Sequence, residues 1–115
     1  MKIYFGESGM IRDVTHLVEG ADIPIDVYSD IDPTGYAVSL TLRRADGAVC
    51  GPYEMKQVLN SKGKIDHHTY QLTSSDTAIT GELEITIKFK SLQKSVFVDP
   101  DFLDMVRVYI TEEMK

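Results

Sequence analysis

Apolar and polar residues take turns along several stretches of this chain, and a period of two places successive side chains on opposite faces of an extended strand. From Gly35 to Arg43, the residues Tyr36, Val38, Leu40 and Leu42 alternate with Ala37, Ser39, Thr41 and Arg43. From Glu82 to Lys90, Leu83, Ile85, Ile87 and Phe89 alternate with Glu84, Thr86, Lys88 and Lys90. Both patterns predict antiparallel strands with one face in a core and the other in water. Ile23, Ile25 and Val27 alternate with Asp22, Pro24 and Asp26. Proline cannot donate to a sheet ladder, so this strand is expected at an edge or a non-donating position rather than in the centre. Val106, Val108 and Ile110 alternate with Met105, Arg107 and Tyr109, a run rich in β-branched and aromatic residues that predicts the closing strand.

Turn chemistry punctuates these runs: Asp32-Pro33-Thr34-Gly35, Ala45-Asp46-Gly47 and Ser61-Lys62-Gly63-Lys64 supply fixed or positive φ at little cost. The Asp-Gly pair between Leu42 and Val49 is the strongest hairpin signal. Thr69 to Leu72 reads as a short strand leading into a polar crossing from Thr73 to Thr80, where one helical turn capped by Ser74 or Ser75 is allowed. No segment there is long enough for an independent helix. Spacings of about ten residues give roughly seven or eight strands, the count of an Ig-like antiparallel two-sheet β-sandwich, with a small barrel as the competing arrangement. Roughly 15 to 20 inward apolar side chains, each worth ~1.5–3 kcal/mol when buried, would offset most of the chain entropy.

The length of 115 residues suits one domain spanning residues 1–115. A net charge of −6 repels phosphate backbones and anionic headgroups, so neither nucleic acid nor membrane is an expected partner. Arg43-Arg44 and the lysines from Lys56 to Lys64 are too sparse for a phosphate track. Cys50 is alone, which leaves the fold without an intramolecular disulfide and makes a small buried hydrophobe its expected role. The residues from Met1 to Glu7 contain no apolar h-region of a signal peptide, and no apolar run approaches the ~18 residues of a membrane span, so a soluble, unsecreted protein is expected.

No catalytic, cofactor or metal residues are expected. Asp66-His67-His68 matches the DHH phosphoesterase signature over three residues and lacks that family's further aspartate motifs. On a strand, moreover, His67 and His68 point to opposite faces. Asp30 with Asp32, and Asp99 with Asp101 and Asp104, offer oxygen ligands for calcium but follow no EF-hand spacing, and Asp-Pro serves as a turn starter. His16, Asp26, Ser39 and Ser95 have no elbow motif that would make them a nucleophile triad. The glycines of Gly6-Glu7-Ser8-Gly9 and of Gly47 to Gly51 lack the strand-to-helix context of a phosphate cradle. Tyr28, Tyr53, Phe97, Phe102 and Tyr109 are candidate surface anchors, of which the core should leave one or two exposed.

Asp32-Pro33-Thr34-Gly35-Tyr36-Ala37-Val38-Ser39-Leu40, then Arg44-Ala45-Asp46-Gly47, Thr69-Tyr70-Gln71-Leu72, Thr80-Gly81-Glu82-Leu83-Glu84-Ile85-Thr86-Ile87-Lys88-Phe89 and a terminal Val106-Arg107-Val108 form an ordered series. This series resembles the N-terminal domain of phage baseplate upper proteins over about Ile23 to Ile110. The resemblance implies an Ig-like structural module in the tail baseplate of the virion, assembled in the host cytoplasm. It also implies multivalent contacts with other tail or baseplate proteins or with further copies in a homo-oligomer. Under that reading Lys2-Ile3-Tyr4-Phe5 is a candidate donor strand for a partner's sheet edge. A carbohydrate-binding module, motivated by the tyrosines and acidic residues, is the alternative. A metal-dependent hydrolase built on Asp66, His67 and His68 stands third.

Overall fold

The two longest alternating runs become neighbouring strands in a computed structural model, which describes residues 1–6, 9–92 and 101–112. The described residues form ten strands and no helix. One sheet contains β1 (Lys2–Gly6), β2 (Gly9–Arg12), β4 (Pro24–Ser29), β7 (Lys56–Leu59) and β8 (Ile65–Gln71), in the order β2-β1-β4-β8-β7. The other contains β3 (His16–Val18), β5 (Tyr36–Arg43), β6 (Val49–Glu54), β9 (Gly81–Ser91) and β10 (Phe102–Thr111), in the order β3-β10-β9-β5-β6. These sheets close as a sandwich, which realises the Ig-like expectation with more strands than the seven or eight inferred. The extra strands are short ones near the N-terminus, three to five residues long, where alternation is too brief to stand out.

The sheets are mixed rather than wholly antiparallel, because β1 runs parallel to β4 and β3 runs parallel to β10. The chain crosses from one sheet to the other between β2 and β3, so its first three strands reach both layers. This arrangement also corrects the donor-strand expectation. Lys2-Ile3-Tyr4-Phe5 is already paired on both sides, with β2 and β4, and Ile3 and Phe5 are core residues.

A second correction concerns Pro24, whose strand lies at the centre of its sheet. Proline opens β4, where a missing N–H interrupts no established ladder, and the neighbouring backbone bonds run from Leu72 N–H to Ile23 C=O at 3.0 Å and from Asp26 N–H to Met1 C=O at 2.9 Å. The position is non-donating, as proline requires, without being an edge.

Alternation is otherwise followed residue by residue. Tyr36, Val38, Leu40 and Leu42 of β5, Leu83, Ile85, Ile87 and Phe89 of β9, and Val106, Val108 and Ile110 of β10 all face the interior. Rings bind the two sheets together: Phe5 of β1 stacks on Phe89 of β9 at 5.2 Å and meets Phe102 edge-on at 5.8 Å. Cys50 is half-buried against the core instead of fully enclosed, because β6 is an edge strand with largely exposed side chains.

The β5–β6 and β7–β8 hairpins repeat one device. Arg44 N–H donates to Ala48 C=O at 2.9 Å around Ala45-Asp46-Gly47, and Asn60 N–H donates to Lys64 C=O at 2.8 Å around Ser61-Lys62-Gly63. Each three-residue loop places a glycine in the left-handed region, Gly47 at φ 86° and Gly63 at φ 75°. The polar crossing forms a hydrogen-bonded turn rather than a helix, with Asp76 N–H donating to Thr73 C=O at 3.0 Å. Thr73 occupies the position expected of Ser74 or Ser75, with Thr73 N–H donating to Asp76 Oδ2 at 2.9 Å and Asp76 N–H donating to Thr73 Oγ1 at 3.3 Å.

Replacing Ile87 with alanine should lower unfolding free energy by about 2–5 kcal/mol, whereas Lys88→Ala on the outer face should stay within about 0.5 kcal/mol. Urea denaturation of the two variants measures the contrast. Gly47→Ala should cost about 1–2 kcal/mol through its positive φ. Gly51→Ala should cost more, because at φ 104° its added Cβ would also lie 2.8 Å from Leu40 C=O.

Candidate interaction surface

Strand register assembles one continuous row of apolar and aromatic side chains across the solvent face of the β2-β1-β4-β8-β7 sheet. Ile11 is paired with Tyr4, Tyr4 with Tyr28, and Val58 with His67, while the pairing of Val27 with His68 sets Tyr28 beside His67. The rings confirm this order: Tyr4 and Tyr28 stack at 5.5 Å, and Tyr28 and His67 stack at 4.8 Å. With strands ~4.8 Å apart, the row from Ile11 to Val58 spans about 19 Å. Ile11 and Tyr4 are the open end, 59% and 48% exposed.

A second, polar row runs beside it, with Lys2 paired to Asp26, Asp26 to Thr69, and Thr69 to Lys56. The Lys2 ammonium lies 5.9 Å from the Tyr28 ring centre, in cation–π range. His67 Nδ1 is 2.7 Å from Asp66 Oδ2, and its Nε2 is 3.5 Å from Asp26 Oδ1. Ring faces turned toward one another leave ring edges toward solvent, a rib suited to insertion between a partner's side chains.

The outer face of the other sheet is mixed, with exposed Val49, Leu103 and Tyr109 set among charged residues. Arg107 Nε lies 2.8 Å from Glu82 Oε1 and 3.5 Å from Glu84 Oε1, and Arg43, Lys88 and Lys90 continue the charged field. Such exposed pairs keep a face hydrated and add little stability.

The remaining candidate residues separate. His67 and His68 do point to opposite sides of β8, His67 to the aromatic row and His68 to the core, where it is 2% exposed and meets the Phe89 ring edge-on at 6.3 Å. Burial pushes the His68 imidazole below its ordinary value, with the neighbouring His67 contributing further. Among the described residues, no group of three or more His, Cys, Asp or Glu is placed to hold a metal. Asp32 caps its own turn by accepting from Thr34 N–H at 3.0 Å, a hydrogen bond that also holds its carboxyl below the usual range. Asp101 accepts from Ser91 N–H and Asp104 from Met10 N–H. Asp99, Ser95 and Phe97 lie outside the described residues. His16 and Ser39 sit on strands separated by two others and lie level with Glu82 and Lys88 at different heights of β9, and Asp26 is in the opposite sheet.

Of the aromatic candidates, Phe102 packs against the core, Tyr28 is half-buried in the row, and Tyr53 and Tyr109 are exposed. Tyr4 was missed by sequence reasoning. Its only signal was an aromatic residue at the outward position between Ile3 and Phe5, and the partners that make it part of a row come from register.

The described residues define a helix-free Ig-like sandwich carrying an aromatic rib on one face and a mixed charged and apolar field on the other. No family model and no curated protein matches the chain. Among solved structures it is similar to the N-terminal domain of phage TP901-1 ORF48, with a TM-score of 0.60 and 9% sequence identity over 95% of each chain. At that identity the likeness establishes the shared fold.

Acidification should destabilise the protein through His68. The folded state resists protonation there while the unfolded chain accepts a proton near 6.5, so stability is full above that pH and declines below it toward the folded-state value. Thermal melts from pH 7.5 to 5.5 should show a falling midpoint, with a shallower fall in His68→Phe.

Proposed function

We propose that this chain is a non-enzymatic structural module of a phage tail or baseplate, a single sandwich domain that joins virion components through protein–protein contacts. The observation that carries this reading is the fold likeness to a phage protein domain over 95% of both chains. The ordered series from Asp32 to Val108 agrees with this reading through its resemblance to baseplate upper proteins.

The geometry suits the role. A rigid two-sheet body presents the Ile11-Tyr4-Tyr28-His67-Val58 row as an apolar centre with a polar rim, the anatomy of a protein contact. A face about 19 Å wide falls toward the small end of stable interfaces, so symmetry and repeated copies supply the strength a single contact lacks. The partner is a neighbouring tail or baseplate protein or a further copy of this chain, and the working location is the virion.

Co-expression with the proteins encoded beside it, followed by co-elution and sedimentation, tests this. The expected result is a defined complex that Tyr4→Ala with Ile11→Lys weakens by about tenfold or more, while Arg107→Ala on the opposite face changes it less than about twofold. A chain that stays monomeric and co-elutes with none of those proteins would refute the assembly role. Equal losses in both variants would refute the assignment of the face.

A further inference from the structure

We infer that the corner between β6 and β7 is a binding site for a neutral saccharide, centred on Tyr53. This inference does not rest on the assembly reading, and the corner is built from different residues than the aromatic row.

The chain crosses between sheets here, β6 ending at Glu54 and β7 starting at Lys56 in the opposite layer. Met55 anchors the crossing in the core, with its N–H donating to Val38 C=O at 2.9 Å. Outside this anchor lies a groove of about 500 Å³ lined by Tyr53, Glu54, Lys56, Thr69, Tyr70 and Gln71. That volume falls within the ~300–1,000 Å³ of small-molecule sites.

Two parallel tyrosines form its floor. Tyr53 and Tyr70 stack with centres 5.1 Å apart and planes 13° from parallel. Tyr70 is fixed in turn, since its hydroxyl donates to Asp76 Oδ2 at 3.1 Å and that same carboxylate oxygen accepts from Thr73 N–H at 2.9 Å. The backing ring is thereby held still, and Tyr53, 37% exposed, keeps its plane without being enclosed. A ring set in place before binding loses little freedom when a ligand arrives.

The polar groups around this floor match a sugar better than an ion. Glu54 and Lys56 bring one charge of each sign, so the groove favours neither an anion nor a cation. Neither of them is engaged in an ion pair among the described residues. Gln71 Nε2 donates to Asp22 Oδ1 at 2.6 Å and to Leu72 C=O at 3.3 Å, which fixes its amide at the groove wall. A pyranose presents apolar C–H groups on its face and hydroxyls at its rim. An aromatic platform ringed by a carboxylate, an ammonium, a hydroxyl and an amide answers both surfaces.

Saturation-transfer NMR on the intact chain, with glucose, galactose, rhamnose, N-acetylglucosamine and the N-acetylglucosamine trimer as probes, tests the inference. At least one probe should receive saturation at its ring C–H protons. Tyr53→Ala should weaken its binding by about tenfold or more, and Tyr53→Phe should retain it because the ring face remains. Glu54→Gln should weaken it by a few fold, whereas Tyr4→Ala on the aromatic row should leave it unchanged. No transfer to any of the five probes would overturn the proposal, as would transfer that survives Tyr53→Ala. Since Tyr53 sits on an exposed edge strand, the variant's unchanged melting temperature certifies its fold. Loss of tail-protein co-elution with saccharide binding intact would sink the assembly reading alone.

Discussion

Everything in this molecule depends on two sheets sharing one set of inward side chains. β5, β9 and β10 contribute alternate residues from one layer, β1 and β4 answer from the other, and Leu17, Met55 and Leu72 join them, so that among the described residues eighteen apolar side chains enter a common interior. The stack of Phe5 on Phe89 shows why the N-terminal strand cannot be lent to a neighbour: removing it would strip a ring from the middle of the contact. Burial of that kind is worth several times more than any exposed ion pair on the surface.

With the interior so committed, the surface is free to differ from face to face. Outward positions of β9 are charged or polar and those of β10 set Arg107 among the exposed Leu103 and Tyr109, while those of β1, β4 and β8 hold the stacked rings. Neither choice affects closure of the sandwich, because the period-two pleat isolates one face from the other. The β6–β7 corner is a third environment, produced by a chain that changes layers within a single residue, Met55. A scaffold of this type carries function on its surfaces, and those surfaces change without disturbing the core.

Parts of the site were legible in sequence and parts were not, for one physical reason. That His67 and His68 diverge follows from strand geometry alone, as does the inward path of Leu83, Ile85 and Ile87. That Tyr28 sits between Tyr4 and His67 depends on which residues face one another across three strands, and their positions 4, 28 and 67 carry no local mark of it. Tyr53 was visible as an aromatic candidate, yet its backing by Tyr70 and the anchoring of Tyr70 by Asp76 come from the crossing between layers. Pro24 illustrates the same limit in reverse. Its lost donor was correctly inferred, but a strand's place in a sheet is a property of its neighbours.

By itself the amino-acid order determined the strand character of the chain, the inward and outward faces of its long strands and the positions of its hairpin turns. Those features are set by interactions among residues close along the chain: pleat, β-branching and the cost of positive φ. The tertiary structure alone decided that the sheets are mixed, that β4 is central, and that Ile11, Tyr4, Tyr28, His67 and Val58 form one row. Pairing between distant segments is selected by the total burial of the closed sandwich, a quantity that no short stretch of sequence contains.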